Sequence, residues 1–238
     1  MRVFDLTIRT LVDENYIYAK ALSYLGVEFY LYPDRKLKEV CESMGLDKAR
    51  VMKTFYLFDR SNRFSFLELD KHPLPIVIEY LRHAHHVFIK DKLPYIARLI
   101  HQYPGDNDLK LIFPEFVEEF IHHIYEEEDT LFNYVEHLLE LGKKPAKNPV
   151  SSLWKYRKLS LEKIHQEHCE EDELAGIRTL IQESADSSIH WQVICKEIKS
   201  FDREMWYHAE IENNILFPKA IQLEKEVRAC MIRLSTLN

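Results

Sequence analysis

Two stretches of this chain place a histidine and a glutamate four residues apart on an apolar helical stripe. They are His208 and Glu212 in HAEIENNILFP (208–218) and His123 and Glu127 in HIYEEEDTLF (123–132). Residues four apart share one face of a helix. The stripe around the later pair runs Ile194, Ile198, Phe201, Met205, His208, Glu212, Ile215. Around the earlier pair it runs Phe116, Phe120, His123, Glu127, Leu131, Tyr134, Leu138. Steps of three and four residues are the seam of a helix packed in a bundle. A carboxylate on such a seam loses its hydration, a loss worth several kcal/mol unless a partner compensates its charge. Two separate helices with this pattern point to a metal ion held in the bundle core.

Two further helical stretches must then bring imidazoles to the same place. The first offers His83, His85, His86 and His101. His86 stands in register with Ile89, Leu93, Ile96 and Ile100 and is assigned as the ligand, with His83 and His85 read as surface or supporting residues. His101 lies roughly 20 Å further along the helix by rise alone. The third stretch offers His165 and His168. His168 follows the seam with Leu161, Asp172 and Ala175 and is assigned, with His165 as the alternative or an added ligand. The expected metal set is therefore His86, His123, Glu127, His168, His208 and Glu212. Imidazole and carboxylate donors without thiolate favour iron or manganese over structural zinc. Two ions bridged by the glutamates fit this donor count, as does manganese or a mixed pair, leaving room for an oxo or hydroxo bridge and a diatomic ligand such as O2 or NO. Glu126 and Glu128 read as solvated helix surface, and Cys169 as a packed thiol. Tyr125, Tyr134 and Tyr207 are candidates for hydrogen-bond donors near the metals. Trp154, Trp191 and Trp206 read as core or interface anchors.

The remaining chain sets this bundle in context. With 238 residues, 46% hydrophobic and only five glycines, the sequence predicts an all-α protein: an antiparallel four-helix bundle with a small N-terminal helical domain. The expected division is a small helical domain over 1–70, the metal-binding bundle over 71–220 and a tail helix in 221–238. In the first part, Asn15 to Leu25 forms a helix stopping at Gly26; Asp34 caps a second and Asp47 a third. Their outline is that of a helix-turn-helix, and the segment is mildly basic. DNA contact is the minor reading, because the net charge of −7 disfavours general nucleic-acid binding. Four bundle helices follow, at about 74–103, 109–141, 153–185 and 188–218. Pro94 and Pro114 interrupt the first two, and Pro218 ends the fourth before a short helix from Ile221 to Leu234. The four cysteines form no CxxC pair, and neither a signal peptide nor an apolar span is visible, so a cytoplasmic protein is expected.

Taken together, HIYEEEDTLF and HAEIENNILFP resemble the hemerythrin-like, HHE cation-binding domain. HHVFIKDKLP (85–94) and EHCEEDEL (167–174) are similar to its first and third helices, and the resemblance covers about 74–220. More narrowly the chain resembles the di-iron proteins of iron-sulfur cluster repair, also called regulators of cell morphogenesis and nitric oxide signalling. This implies two non-heme iron ions, activity under nitrosative or oxidative stress, NO or O2 as ligand, damaged iron-sulfur proteins as partners and a homodimer. It also implies iron donation or NO reduction as the activity, or a non-enzymatic sensor whose N-terminal domain contacts a partner. That family carries an adjacent Cys-Cys pair in the loop after its first helix. Here the loop reads Phe29-Tyr30-Leu31, without cysteine.

Overall fold

A computed structural model describes residues 3–61, 69–105, 108–143, 160–168, 174–183 and 186–236. Every extended element among them is helical, and the sole β feature is an isolated bridge between Thr7 and Lys36. The chain forms two compact units. One is Met1–Leu67 with Arg98–Asp106 and Ile181–Ser200; the other is Glu68–Ala97, Asn107–Leu180 and Phe201–Asn238.

In the first unit, α1 (Ile8–Glu14) starts where Thr7 Oγ1 accepts the Thr10 N–H. α2 (Ile17–Tyr24) leads into Gly26 at φ 82°, and α3 (Leu37–Met44) ends on Gly45 at φ 64°. Both angles are left-handed values that glycine adopts without strain. Asp47 caps α4 (Lys48–Ser61), its Oδ2 accepting the Arg50 N–H at 2.9 Å. Asp34 does not cap α3, because Lys36 precedes that helix; Asp34 pairs with Arg9 at the surface instead. Phe29 is buried, while Tyr30 stacks on His190 with ring centroids 3.9 Å apart and donates its hydroxyl to Gln102. The start of the 29–31 turn is thus packed by aromatic contacts.

The long helices contain a device that the apolar stripe alone did not reveal. α5 (Leu74–Val87) and α6 (Leu93–Gln102) are joined by a π-helical turn, Phe88–Lys92. α7 (Leu109–Glu126) and α8 (Asn133–Lys143) are joined by another, Glu127–Phe132. After α9 (Leu161–His168) and α10 (Ala175–Glu183), a third turn, Glu212–Leu216, joins α11 (Ile189–Ile211) to α12 (Phe217–Thr236). Each turn is closed by bonds reaching five residues back, such as Leu93 N–H to Phe88 O and Phe217 N–H to Glu212 O. Such a turn adds one residue to the helical count. Pro94 and Pro218 each stand second after a π turn, where the ladder has already changed register. Pro218 therefore does not end the fourth helix, which continues to Thr236. Pro114 is likewise held inside α7.

Four stretches of the second unit share one core. Leu74, Val77, Ile78 and Leu81 precede His85, and Leu161 precedes His168. They pack with Leu131 to Leu141, which follow Glu127, and with Leu216 to Val227, which follow Glu212. The first and third helices thus approach the His/Glu level in one direction and the second and fourth in the other. On the other side of that level Phe88, Phe116, Phe120 and Phe201 form an aromatic layer, with Phe88 and Phe201 centroids 5.3 Å apart. Among the described residues no helix is long and apolar enough to cross a membrane. Lys90 is exposed within the first π turn. An alanine inserted after Lys90 exceeds the one extra residue that the π turn absorbs and rotates α5 by roughly 100° against α6. Equilibrium unfolding should then show a loss of about 3 kcal/mol or more, against about 0.5 kcal/mol or less for Lys90→Ala.

Candidate metal centre

Each bundle helix delivers its polar residues at one level. His85 stands three residues before the first π turn. Glu127 and Glu212 open the second and third turns, with His123 and His208 one helical turn earlier, and His168 ends α9. Ligand atoms of His85, Glu127, His208 and Glu212 all lie within 4.8 Å of one another, and so do those of His123, Glu127 and His168. Glu127 belongs to both groups. The all-helical scaffold thus gathers a His/Glu cluster able to hold one or two metal ions.

The imidazoles present Nε2 inward. His85 Nε2 lies 2.9 Å from His208 Nε2 and 3.4 Å from Glu127 Oε2. Glu127 Oε1 lies 3.2 Å from His123 Nε2 and 3.3 Å from His168 Nε2. Glu212 spans the same gap, with Oε2 3.0 Å from His168 Nε2 and Oε1 3.2 Å from His208 Nε2. Glu212 is only 1% exposed, His85 1% and Glu127 8%. Despite these approaches, Glu127 Oε1 and Glu212 Oε1 are buried without a properly directed hydrogen bond. Native interiors rarely leave carboxylate oxygens so. Ligand atoms gathered this closely, with one oxygen of each carboxylate left without a directed hydrogen bond, fit a metal ion between them.

Electrostatics agree with the geometry. Burial pushes the Glu127 carboxyl upward, but the imidazoles of His123, His168 and His85 outweigh it and hold the group well below the usual carboxylate range. Burial and the charge of Glu127 push Glu212 upward, and His208 and His168 bring it below its ordinary value. Burial depresses His168, yet Glu127 and Glu212 push it up to about 11. His85 is raised in the same way, burial being overcome by Glu127 and Glu128. Protons on imidazoles thus balance the buried carboxylates in the protein without metal. Those protons must leave when a cation takes the nitrogens.

Five of the six expected residues, His123, Glu127, His168, His208 and Glu212, come together. The sixth does not: His86 is exposed, and His85 occupies the cluster. The reason is the first π turn. Read forward, Leu74, Ile78, Leu81, His85 and Phe88 are spaced four, three, four, three, and five residues then separate Phe88 from Leu93. Counting back from Leu93 in α-helical steps lands one residue late, on His86. His83 and His101 are exposed, and His165 stacks on Phe217 rather than joining the cluster. Two supporting residues escaped the sequence reading. Glu128 Oε1 accepts from His85 Nδ1 at 2.8 Å, and Asn213 Oδ1 accepts from His168 Nδ1 at 3.2 Å. Their adjacency to Glu127 and Glu212 was the available signal. Tyr134 donates to Glu224 at 2.5 Å instead of joining the cluster, Tyr125 is exposed, Trp191 is buried and Trp206 is exposed. Trp154, Cys169 and Asp172 lie outside the described residues.

Comparison with family models, with curated proteins and with solved structures gave no match. His85→Ala should lower bound metal per chain at least tenfold under limiting metal, whereas His86→Ala should leave it unchanged; elemental analysis after dialysis decides between them. Metal binding should release protons at neutral pH and strengthen as pH rises from 6 to 8, a window below the raised value of about 11 for His168. Calorimetry in buffers of differing ionisation enthalpy measures that release.

Proposed function

We propose that this chain is a hemerythrin-like non-heme di-iron protein of the nitrosative and oxidative stress response. Its centre binds and reduces NO, or gives up iron to damaged iron-sulfur centres. The observation that carries this reading is the convergence of four imidazoles on two buried carboxylates, each with its Oε1 lacking a directed hydrogen bond. His85 and His208 would hold one ion, His123 and His168 the other, with Glu127 and Glu212 between them. A ferrous pair in this position supplies two electrons and a site for a diatomic ligand.

The chain's own residues set the conditions for that chemistry. Phe88 packs edge-on to His208 with ring centroids 5.7 Å apart, and the aromatic layer behind it excludes water. An apolar approach admits a neutral diatomic more readily than a hydrated ion. Beneath the cluster, Phe132 stacks parallel to the His85 ring at 5.5 Å. The packed turn at Phe29-Tyr30-Leu31 has no thiol, so metal-centre chemistry here does not draw on a vicinal cysteine pair in that loop. This favours the chemistry of NO or O2 at the centre over thiol-assisted repair.

Anaerobic protein loaded with ferrous iron and titrated with NO tests the proposal. Reduction follows 2 NO + 2 e− + 2 H+ → N2O + H2O, with the ferrous pair giving the electrons and dithionite restoring it. N2O formed over many turnovers is the expected result. Stoichiometric, reversible uptake of NO or O2 would instead identify a carrier or sensor. Iron appearing in an added cluster-free iron-sulfur protein would identify repair. No spectral response to either gas contradicts the proposal.

A further inference from the structure

The His85 ring is pinched between two adjacent carboxylates. Its Nε2 faces Glu127 Oε2 at 3.4 Å, and its Nδ1 donates to Glu128 Oε1 at 2.8 Å. Phe132, from the same π turn as both glutamates, lies flat against the ring at an interplanar angle of 5°. One turn of the second helix thus fixes His85 at both nitrogens and on one face. Glu128 is itself flanked by positive charge, for the Arg82 guanidinium senses it while gripping Glu136 with two bonds of 2.6 and 3.0 Å. Two of the other imidazoles are supported differently. His168 Nδ1 meets the neutral amide of Asn213 at 3.2 Å, and His208 Nδ1 is buried without a hydrogen-bond partner.

We propose that Glu128 is a positioning residue that makes the two metal positions inequivalent, so that the ion held by His85 and His208 binds first and more tightly. This rests on the metal reading above. A carboxylate accepting from Nδ1–H fixes the tautomer that leaves Nε2 free for a metal, orients the ring and makes the nitrogen a stronger donor. A neutral amide supplies orientation with less charge. Residues further out of this kind change metal affinity by about 10–100-fold.

The test is a titration of the full-length, metal-free protein with Co2+, whose visible bands report imidazole ligation. Wild type should bind two ions in two resolved steps. Glu128→Gln keeps the size and a hydrogen-bond acceptor, so folding, followed by circular dichroism, should be retained. It should weaken the first step by about 10-fold or more and shift its band, leaving the second step in place. Asn213→Ala should weaken the second step and leave the first. Unchanged first-step affinity and spectrum in Glu128→Gln, with wild type still binding two ions, would overturn the role of Glu128 while sparing the metal reading. Two equal and unresolved steps in wild type would also overturn it. Absence of Co2+ binding by wild type would overturn both.

Discussion

The structure depends on two buried carboxylates. Glu127 and Glu212 sit among four imidazoles at a level where each long helix otherwise presents apolar side chains. Carboxylates taken out of water destabilise a fold unless charge and hydrogen bonds are returned to them. The cluster returns charge through imidazolium protons, or through a cation with the same donors around it. The apolar layers on both sides, Phe88 with Phe120 and Phe201 on one and Phe132 with Tyr134 and Phe217 on the other, keep water from doing so. Bundle and site are therefore one problem: the core can close at this level only if the charges are matched.

The π turns are the geometric half of that solution. A strict α-helical seam repeats with a fixed phase, and a side chain placed for a ligand then fixes every side chain that packs above and below it. Inserting one residue releases this coupling. Beyond Glu212 it lets Leu216 and Phe217 reach the core, where the unbroken seam would have used the half-buried Ile215. Beyond Phe88 it lets Leu93 and Ile96 pack although His85 faces the cluster. Placing Glu127 at the start of a wider turn also brings Glu128 to the far side of the same histidine. Prolines just after two of the turns lie where the backbone ladder has already shifted.

Much of this was legible in the sequence because it follows from periodicity. The helical class, the seams carrying His123 with Glu127 and His208 with Glu212, the glycine turns at Gly26 and Gly45 and the Asp47 cap all follow from local chemistry. What failed has one physical source. A stripe read across an unseen extra residue comes out one position wrong, which is how His86 was preferred to His85 and why Pro218 looked like a helix end. Asp34 failed for another reason: a cap depends on where the backbone turns into the helix, and Arg9 competes for that carboxylate. Glu128 and Asn213 resembled surface residues because a helical wheel cannot show which neighbour approaches from the adjacent helix.

The unit formed by residues 1–67, 98–106 and 181–200 has its own logic. His190 is buried, its Nε2–H donating to the Leu99 carbonyl at 2.9 Å, while Tyr30 stacks on one side and Tyr103 meets it edge-on. These contacts pack Tyr30, beside the buried Phe29, into this unit. Under the proposed function the chain's chemistry is that of the His/Glu cluster, and the central claim is that this cluster holds two ions. The most direct measurement is diffraction from crystals of iron-loaded protein recorded on both sides of the iron absorption edge. Two anomalous peaks are predicted, one at His85 and His208 and one at His123 and His168, both in contact with Glu127. A single peak, none, or a peak ligated by His86 would contradict it.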